Sequence, residues 1–416
     1  MESQNNPTPT ELSTAVAVAL PSAADLRRQE AKQRLLASAQ LAVKGHMPAL
    51  DGIRGVAIIL VMVCHFSRVM DLNASSQLFF NEFMAGGWVG VDLFFVLSGF
   101  LITGILLDSR DSPRYFFSFY MRRILRIFPL YYLACLLYLV ALPLVQSHLG
   151  ILKNLISVAP LQIWFWVYAA NWGMVVTGRS FGFLGHFWSL AIEEQFYMLW
   201  PWVVRLTSKI SLARLCIALA LVSQLLRIVL LLKGFAGGAV WVMTVTRLDG
   251  LVLGALAALA VRNERWLARA ASSLKYLISI PFIGLVVLAW GPPAQNPSVL
   301  VTAFYPLLLA VMFTGFLLSA ILYSGSRLDK LLRASWLRSC GKYSYAMYVF
   351  HLPMEGAAAY GVKHYCLKAS MNTVFDVTRM PAVMVYIIVM SLASYAVARI
   401  SWAVFEWHFY NLKKYF

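Results

Sequence analysis

The chain has 416 residues, 60% of them hydrophobic and only 13% charged, with a formal charge of +17 and a mean hydropathy of +0.71. So apolar a composition excludes a water-soluble globular protein of this length. Long apolar runs separate the basic residues, and no basic face alternates with aromatics on a soluble module, so membrane lipids rather than nucleic acid are the expected surroundings.

Residues 1–47 are rich in Ala, Ser, Gln and Pro and then basic at Arg27, Arg28, Lys32, Arg34 and Lys44. They read as a flexible or surface-lying cytoplasmic arm. The run "AVAVAL" is too short for a secretory core and lacks a basic segment before it, so no cleaved signal is expected.

Residues 48–416 read as one all-α transmembrane domain. Apolar windows of the ~20 residues a bilayer requires begin near positions 53, 88, 127, 188, 215, 240, 274, 299, 343 and 381. About ten spans follow. An N-terminus inside the cell places loops 108–126, 205–214, 262–275 and 327–342, and the end of the chain, in the cytoplasm. These hold most of the Arg and Lys residues beyond the arm, as positive-inside topology requires. Residues 151–170, "ILKNLISVAPLQIWFWVYAA", are apolar enough to cross, but a crossing there would invert every later basic loop. They are assigned as a re-entrant or interfacial piece on the outer face. The five cysteines are scattered without metal or disulfide spacing, so neither a metal nor an oxidised scaffold is expected.

Ionisable groups inside a membrane are costly and point to function. In "LDGIRGVAIILVMVCHF", residues 50–66, Arg54 stands near the start and His65 eleven positions on. At ~1.5 Å per residue, His65 lies roughly 16 Å deeper than Arg54, about halfway through a core of ~30 Å. A helix-buried histidine is ordinarily a hydrogen-bonded packing element, but further polar features accompany this one. "GGWVGVDLFFVLSGFLI" places Asp92 and Ser98 in an apolar span, where Asp92 can pair with an arginine. "FYMRRILRIFPLYY" crowds Arg122, Arg123 and Arg126 at the cytoplasmic mouth, where their guanidinium forks suit phosphate, although topological anchoring alone can produce such a cluster.

On the outer side, "GHFWSLAIEEQFYMLWP" holds Glu193 and Glu194, which helical geometry points about 100° apart, so that one faces a cavity. His186 reads as an interfacial residue. In "TRLDGLVLGAL", Arg247 and Asp249 read as an internal ion pair, and His351 in "GKYSYAMYVFHLP" as a supporting or tunnel-lining group. Cys64, beside His65, raises an acyl-cysteine route but points about 100° away from the imidazole.

Together these segments resemble the membrane-bound acyltransferase-3 family over residues 48 to about 410. The markers are "LDGIRG" with the R-x10-H spacing, "GGWVGVDLFFVLSGFLI", "RRILRIFP", "WSLAIEEQFY", "RLDGLVLGAL" and "YSYAMYVFHLP", each weak alone and specific in this order. The resemblance implies a ten-helix inner-membrane enzyme carrying an acyl group, acetyl as first choice, from acyl-coenzyme A to a hydroxyl of an extracytoplasmic glycan or glycolipid. It makes His65, Arg54 and Glu193 catalytic candidates, with Glu193 positioning the acceptor or orienting His65. Arg122, Arg123, Arg126 and Ser98 become donor-binding candidates. Some relatives append a soluble esterase-like domain. None follows the last predicted span here, so the final step is expected to fall to the membrane domain or to a separate periplasmic partner.

The competing class is a carrier for a charged lipid or sugar, since transporters also place polar sites at mid-depth. No internal repeat or matched pair of Gly/Pro-broken spans supports it.

Overall fold

In a computed structural model the described residues are 33, 36, 37, 45–67, 86–144, 161–289, 299–361 and 380–416. Most of the arm, residues 151–160 and Cys366 therefore lie outside them. The protein is an all-α membrane protein, with no strand among the described residues.

Each predicted span meets a helix. In chain order these are α1 (Pro48–Ser67), α2 (Val89–Asp108) and α3 (Tyr115–Cys135), the last continued by a π-helical stretch, Leu136–Ala141. Two short helices follow, α4 (Ile163–Trp166) and α5 (Ala170–Thr177), then α6 (Phe187–Leu206) and α7 (Lys209–Leu232). The window near 240 is broken into α8 (Gly237–Val242) and α9 (Leu248–Ala260). The chain then forms α10 (Glu264–Ala289), α11 (Val299–Leu322), the short α12 (Arg327–Leu332), α13 (Ser335–Gly361) and α14 (Met380–Ser401).

Among the described residues, seven helical stretches are long and apolar enough to cross a bilayer. Outside that set are α6 and α13, which carry polar side chains described below, and α9, which has only 13 residues. Of the segment expected to lie on the outer face, the described part forms α4 and the start of α5, of four and eight residues. Neither approaches the ~20 residues of a span.

Small residues bring the central helices together. A Cβ on Gly99 would lie 1.8 Å from the carbonyl oxygen of Leu251, and one on Gly254 2.0 Å from that of Val96, so α2 and α9 touch backbone to backbone. The same device joins α1 to α13, where a Cβ on Gly341 would lie 1.8 Å from the Asp51 carbonyl oxygen. In lipid, where burial of apolar surface does not drive helices together, such close approach does. Gly254→Val is accordingly expected to destabilise the protein by about 1–3 kcal/mol or more through overpacking. Gly238→Ala, where nothing lies within 4 Å of the added methyl, should leave the melting temperature unchanged. Thermal unfolding of the purified variants checks both.

At the basic ends of the helices, several arginines have structural partners. Arg262 pairs with Asp108 at 2.5 Å, and Arg333 with Asp329 at 2.8 Å. Arg110 donates to the carbonyls of Arg205 and Thr207, at 3.1 and 2.7 Å, closing the C-terminal end of α6 where a cation also complements the helix dipole.

Candidate active site

Three cations behave differently from those end-capping arginines. Arg54 of α1 and Arg123 and Arg126 of α3 line one cavity of about 100 Å³, together with Ser98 of α2 and Glu193 of α6. Among the described residues, neither Arg123 nor Arg126 has a carboxylate partner, and Arg54 reaches Asp51 only at 3.8 Å. The Arg123 guanidinium lies 5.8 Å from the Tyr197 ring centroid and 5.9 Å from that of Phe119. Both carboxylate oxygens of Glu193 are engaged: Ser98 Oγ donates to one and the Tyr197 hydroxyl to the other, each at 3.0 Å. The cavity thus keeps guanidinium groups in excess over available carboxylate, which suits the phosphates of a nucleotide-bearing donor. Arg122 is exposed and is not among the residues lining this cavity.

Eleven residues beyond Arg54 on the same continuous helix, His65 lines a second cavity of about 390 Å³. Its partner comes from α13: His65 Nδ1 lies 3.0 Å from His351 Nε2, and His351 Nδ1 lies 2.7 Å from the Tyr348 carbonyl oxygen. A carbonyl can only accept, so His351 Nδ1 carries the proton. In the neutral ring its Nε2 must then accept from His65 Nδ1–H, and the lone pair of a neutral His65 resides on Nε2. The two histidines form a relay anchored on backbone, which fixes the tautomer a general base needs. With His65 proposed as the base, His351→Leu should lower kcat by about ten- to a hundredfold, less than the change His65→Ala. His351→Gln, whose amide can both donate to Tyr348 and accept from His65, should restore most of it; steady-state turnover of the two variants compares them.

The cavities share two lining residues, Val91 and Tyr348. The Tyr348 hydroxyl lies 2.6 Å from Ser189 Oγ and donates to the His186 carbonyl at 2.9 Å. A cationic chamber and an imidazole-bearing chamber therefore abut across one tyrosine.

Glu193 lines the arginine chamber, where Ser98 and Tyr197 donate to it, and the described partner of His65 is His351. Glu194 is half-buried and off that lining. Cys64 is buried with its backbone close to Gly87, and does not line either cavity. His186, expected at the interface, is buried with its ring centroid 4.9 Å from that of His351.

Arg247 and Asp249 do not pair with each other. Arg247 pairs with Asp92 and Asp249 with Arg227, each at 2.7 Å, all four side chains being buried. Two residues apart near the start of α9, the pair points to different neighbours, α2 and α7. Arg227 also donates to the carbonyls of Thr246 and Ala303 and to Gln224, a network without a local sequence signal. No cluster of three His, Cys, Asp or Glu side chains among the described residues could hold a metal ion.

Comparison with known proteins identifies the family. The family profile described as an acyltransferase domain matches residues 47–399. The peptidoglycan O-acetyltransferase OatA of Listeria monocytogenes is 30% identical over 336 residues, covering 74% of this chain and 49% of that protein. The O-acetyltransferase OatA of Staphylococcus aureus is 28% identical over 327 residues, covering 74% and 50%. The chain thus spans about half the length of the curated relatives it matches. No solved structure matches it significantly.

Proposed function

The chain belongs to the acyltransferase-3 family, and from that premise we propose that it is an O-acyltransferase that carries an acetyl group from acetyl-coenzyme A, held on the cytoplasmic side, to a hydroxyl of a carbohydrate on the opposite face of the inner membrane. The observation that carries this reading is the pair of abutting chambers. An arginine chamber fits the phosphates of the donor, and a histidine chamber fits a base and an acceptor.

Coenzyme A is a phosphorylated nucleotide on a long arm ending in the thioester. With its phosphates at Arg123 and Arg126, aided by Arg54, the arm extends along α1, whose Arg54-to-His65 rise is roughly 16 Å. At the Tyr348 boundary the thioester meets the acceptor. His65 Nε2 takes the hydroxyl proton as the oxygen attacks the acyl carbon. The new C–O bond forms, the C–S bond breaks, and the imidazolium returns its proton to the departing thiolate. His351 stabilises the imidazolium through the shared hydrogen bond. Ser98 and Tyr197 hold Glu193 in place beside the arginines.

A glycan acceptor is supported by the relatives' names, one of which specifies peptidoglycan. Mass spectrometry of envelope glycans with and without the protein tests the reading: acetyl mass increments should disappear with it and return on complementation. Unchanged glycan masses alongside altered sugar movement would favour the carrier instead.

A further inference from the structure

The histidine chamber is walled by three indoles, Trp88, Trp188 and Trp241, and bounded by the buried Arg247 and by Thr302. Trp88 and Trp241 meet edge to face with centroids 4.7 Å apart, and the Arg247 guanidinium lies 4.4 Å from the Trp241 centroid and 5.8 Å from that of Trp188. Only one edge of this guanidinium is used: Nη2 donates to Asp92 Oδ1, while Nε and Nη1 have no hydrogen-bond partner among the described residues. Buried donors almost always have partners. These two belong to a wholly buried side chain that faces a cavity of small-molecule size, ~300–1,000 Å³ being usual for such sites.

The charge balance narrows the ligand. Arg247 is the one charged side chain among the described residues lining the chamber, and Asp92 at 2.7 Å already neutralises it. An anionic ligand would bring an uncompensated charge into a desolvated space. A neutral ligand rich in hydroxyl and ether oxygens would accept from Nε and Nη1, engage Thr302, and lay its C–H face on the indoles. Both demands are met by a pyranose ring.

We propose that the chamber walled by Trp88, Trp188 and Trp241 is the acceptor subsite, and that it seats an uncharged pyranose unit with a ring or substituent oxygen on Nε and Nη1 of Arg247 and a free hydroxyl towards His65. This rests on the proposed transfer reaction and names the acceptor's class and seat. The tryptophans fix the ring plane, Arg247 fixes its rotation, and together they choose which hydroxyl meets the base. Sugars carrying a carboxylate or phosphate on the bound unit are disfavoured.

The test uses full-length protein in lipid nanodiscs and three trisaccharide probes: chitotriose and maltotriose, which are neutral, and trigalacturonate, which is anionic. Tryptophan fluorescence and ligand-observed saturation-transfer NMR report binding, and acetyl-coenzyme A affinity is measured on the same samples. At least one neutral trimer should bind saturably and shift the fluorescence, and trigalacturonate should bind more weakly. Trp88→Leu and Trp241→Leu should weaken the neutral trimer by roughly ten- to thirtyfold, as loss of a buried aromatic anchor does, without moving acetyl-coenzyme A affinity. Because Arg247→Gln alone would strand the Asp92 charge, the double variant Asp92→Asn/Arg247→Gln probes the guanidinium, and it too should lose the trimer. Undiminished sugar binding in these variants, no neutral trimer binding at all, or tighter binding of trigalacturonate would overturn the assignment. If the unaltered protein failed to bind acetyl-coenzyme A, the donor reading would fall, while the carbohydrate titration would still decide this subsite.

Discussion

His65→Ala is expected to insert and fold normally and to transfer acyl groups about 100- to 10,000-fold more slowly, the usual worth of a positioned general base. The change falls on transfer because the imidazole lines a cavity wall and lies 3.0 Å from His351. Removing it leaves His351 with its anchor on the Tyr348 carbonyl intact. His65→Gln separates polarity from basicity: an amide of similar size keeps a hydrogen bond to His351 but cannot take a proton, so it should be nearly as slow as alanine. Turnover measured on folded, purified variants decides the point, and near-normal rates in either would remove His65 from the chemistry.

The second large effect is on the donor. Changing Arg123 and Arg126 together to Gln should weaken acyl-coenzyme A binding, since charge-assisted hydrogen bonds contribute about 1.5–3 kcal/mol each, which is roughly ten- to a hundredfold in affinity per contact. Carbohydrate binding on the opposite side should not change. The alternative role for these residues is topological anchoring, and it makes a different forecast: the double variant would misinsert, while any correctly folded fraction would bind donor normally. The structure gives that alternative less room than the sequence did. Arg110, Arg262 and Arg333 each have a carbonyl or carboxylate partner at a helix end. Arg123 and Arg126 instead line a cavity without a carboxylate partner among the described residues. Isothermal titration of detergent-solubilised, monodisperse double variant distinguishes the two.

What could be read from the sequence follows the range of the interactions. The spacing of Arg54 and His65 is a property of one helix, so its depth relation was legible and survives in the continuous α1. Apolar windows located the helices for the same reason, except where the window near 240 breaks into α8 and α9 around Thr244–Thr246.

Pairings between distant segments were not legible. His351 meets His65 from 286 positions away, and Arg227, a lone cation in an apolar helix, is held by Asp249 across the bundle. Local spacing suggested that Arg247 and Asp249 would pair, but neighbours two apart on a helix face different ways, and the packing of α9 against α2 and α7 redirected both. His186 illustrates the same limit. Beside a tryptophan at a helix start it resembles an interfacial residue, and only the approach of α13 buries it next to His351.

The proposed reaction brings donor and acceptor to one histidine from opposite faces of the membrane. The most direct measurement uses proteoliposomes of uniform orientation, with acetyl-labelled coenzyme A thioester supplied only to the face bearing Arg123 and Arg126 and carbohydrate only to the other. Labelled acetyl is expected on the carbohydrate, abolished by His65→Ala, with no carbohydrate crossing the bilayer. Transfer only when both substrates share a face, or carbohydrate movement without the thioester, would contradict it.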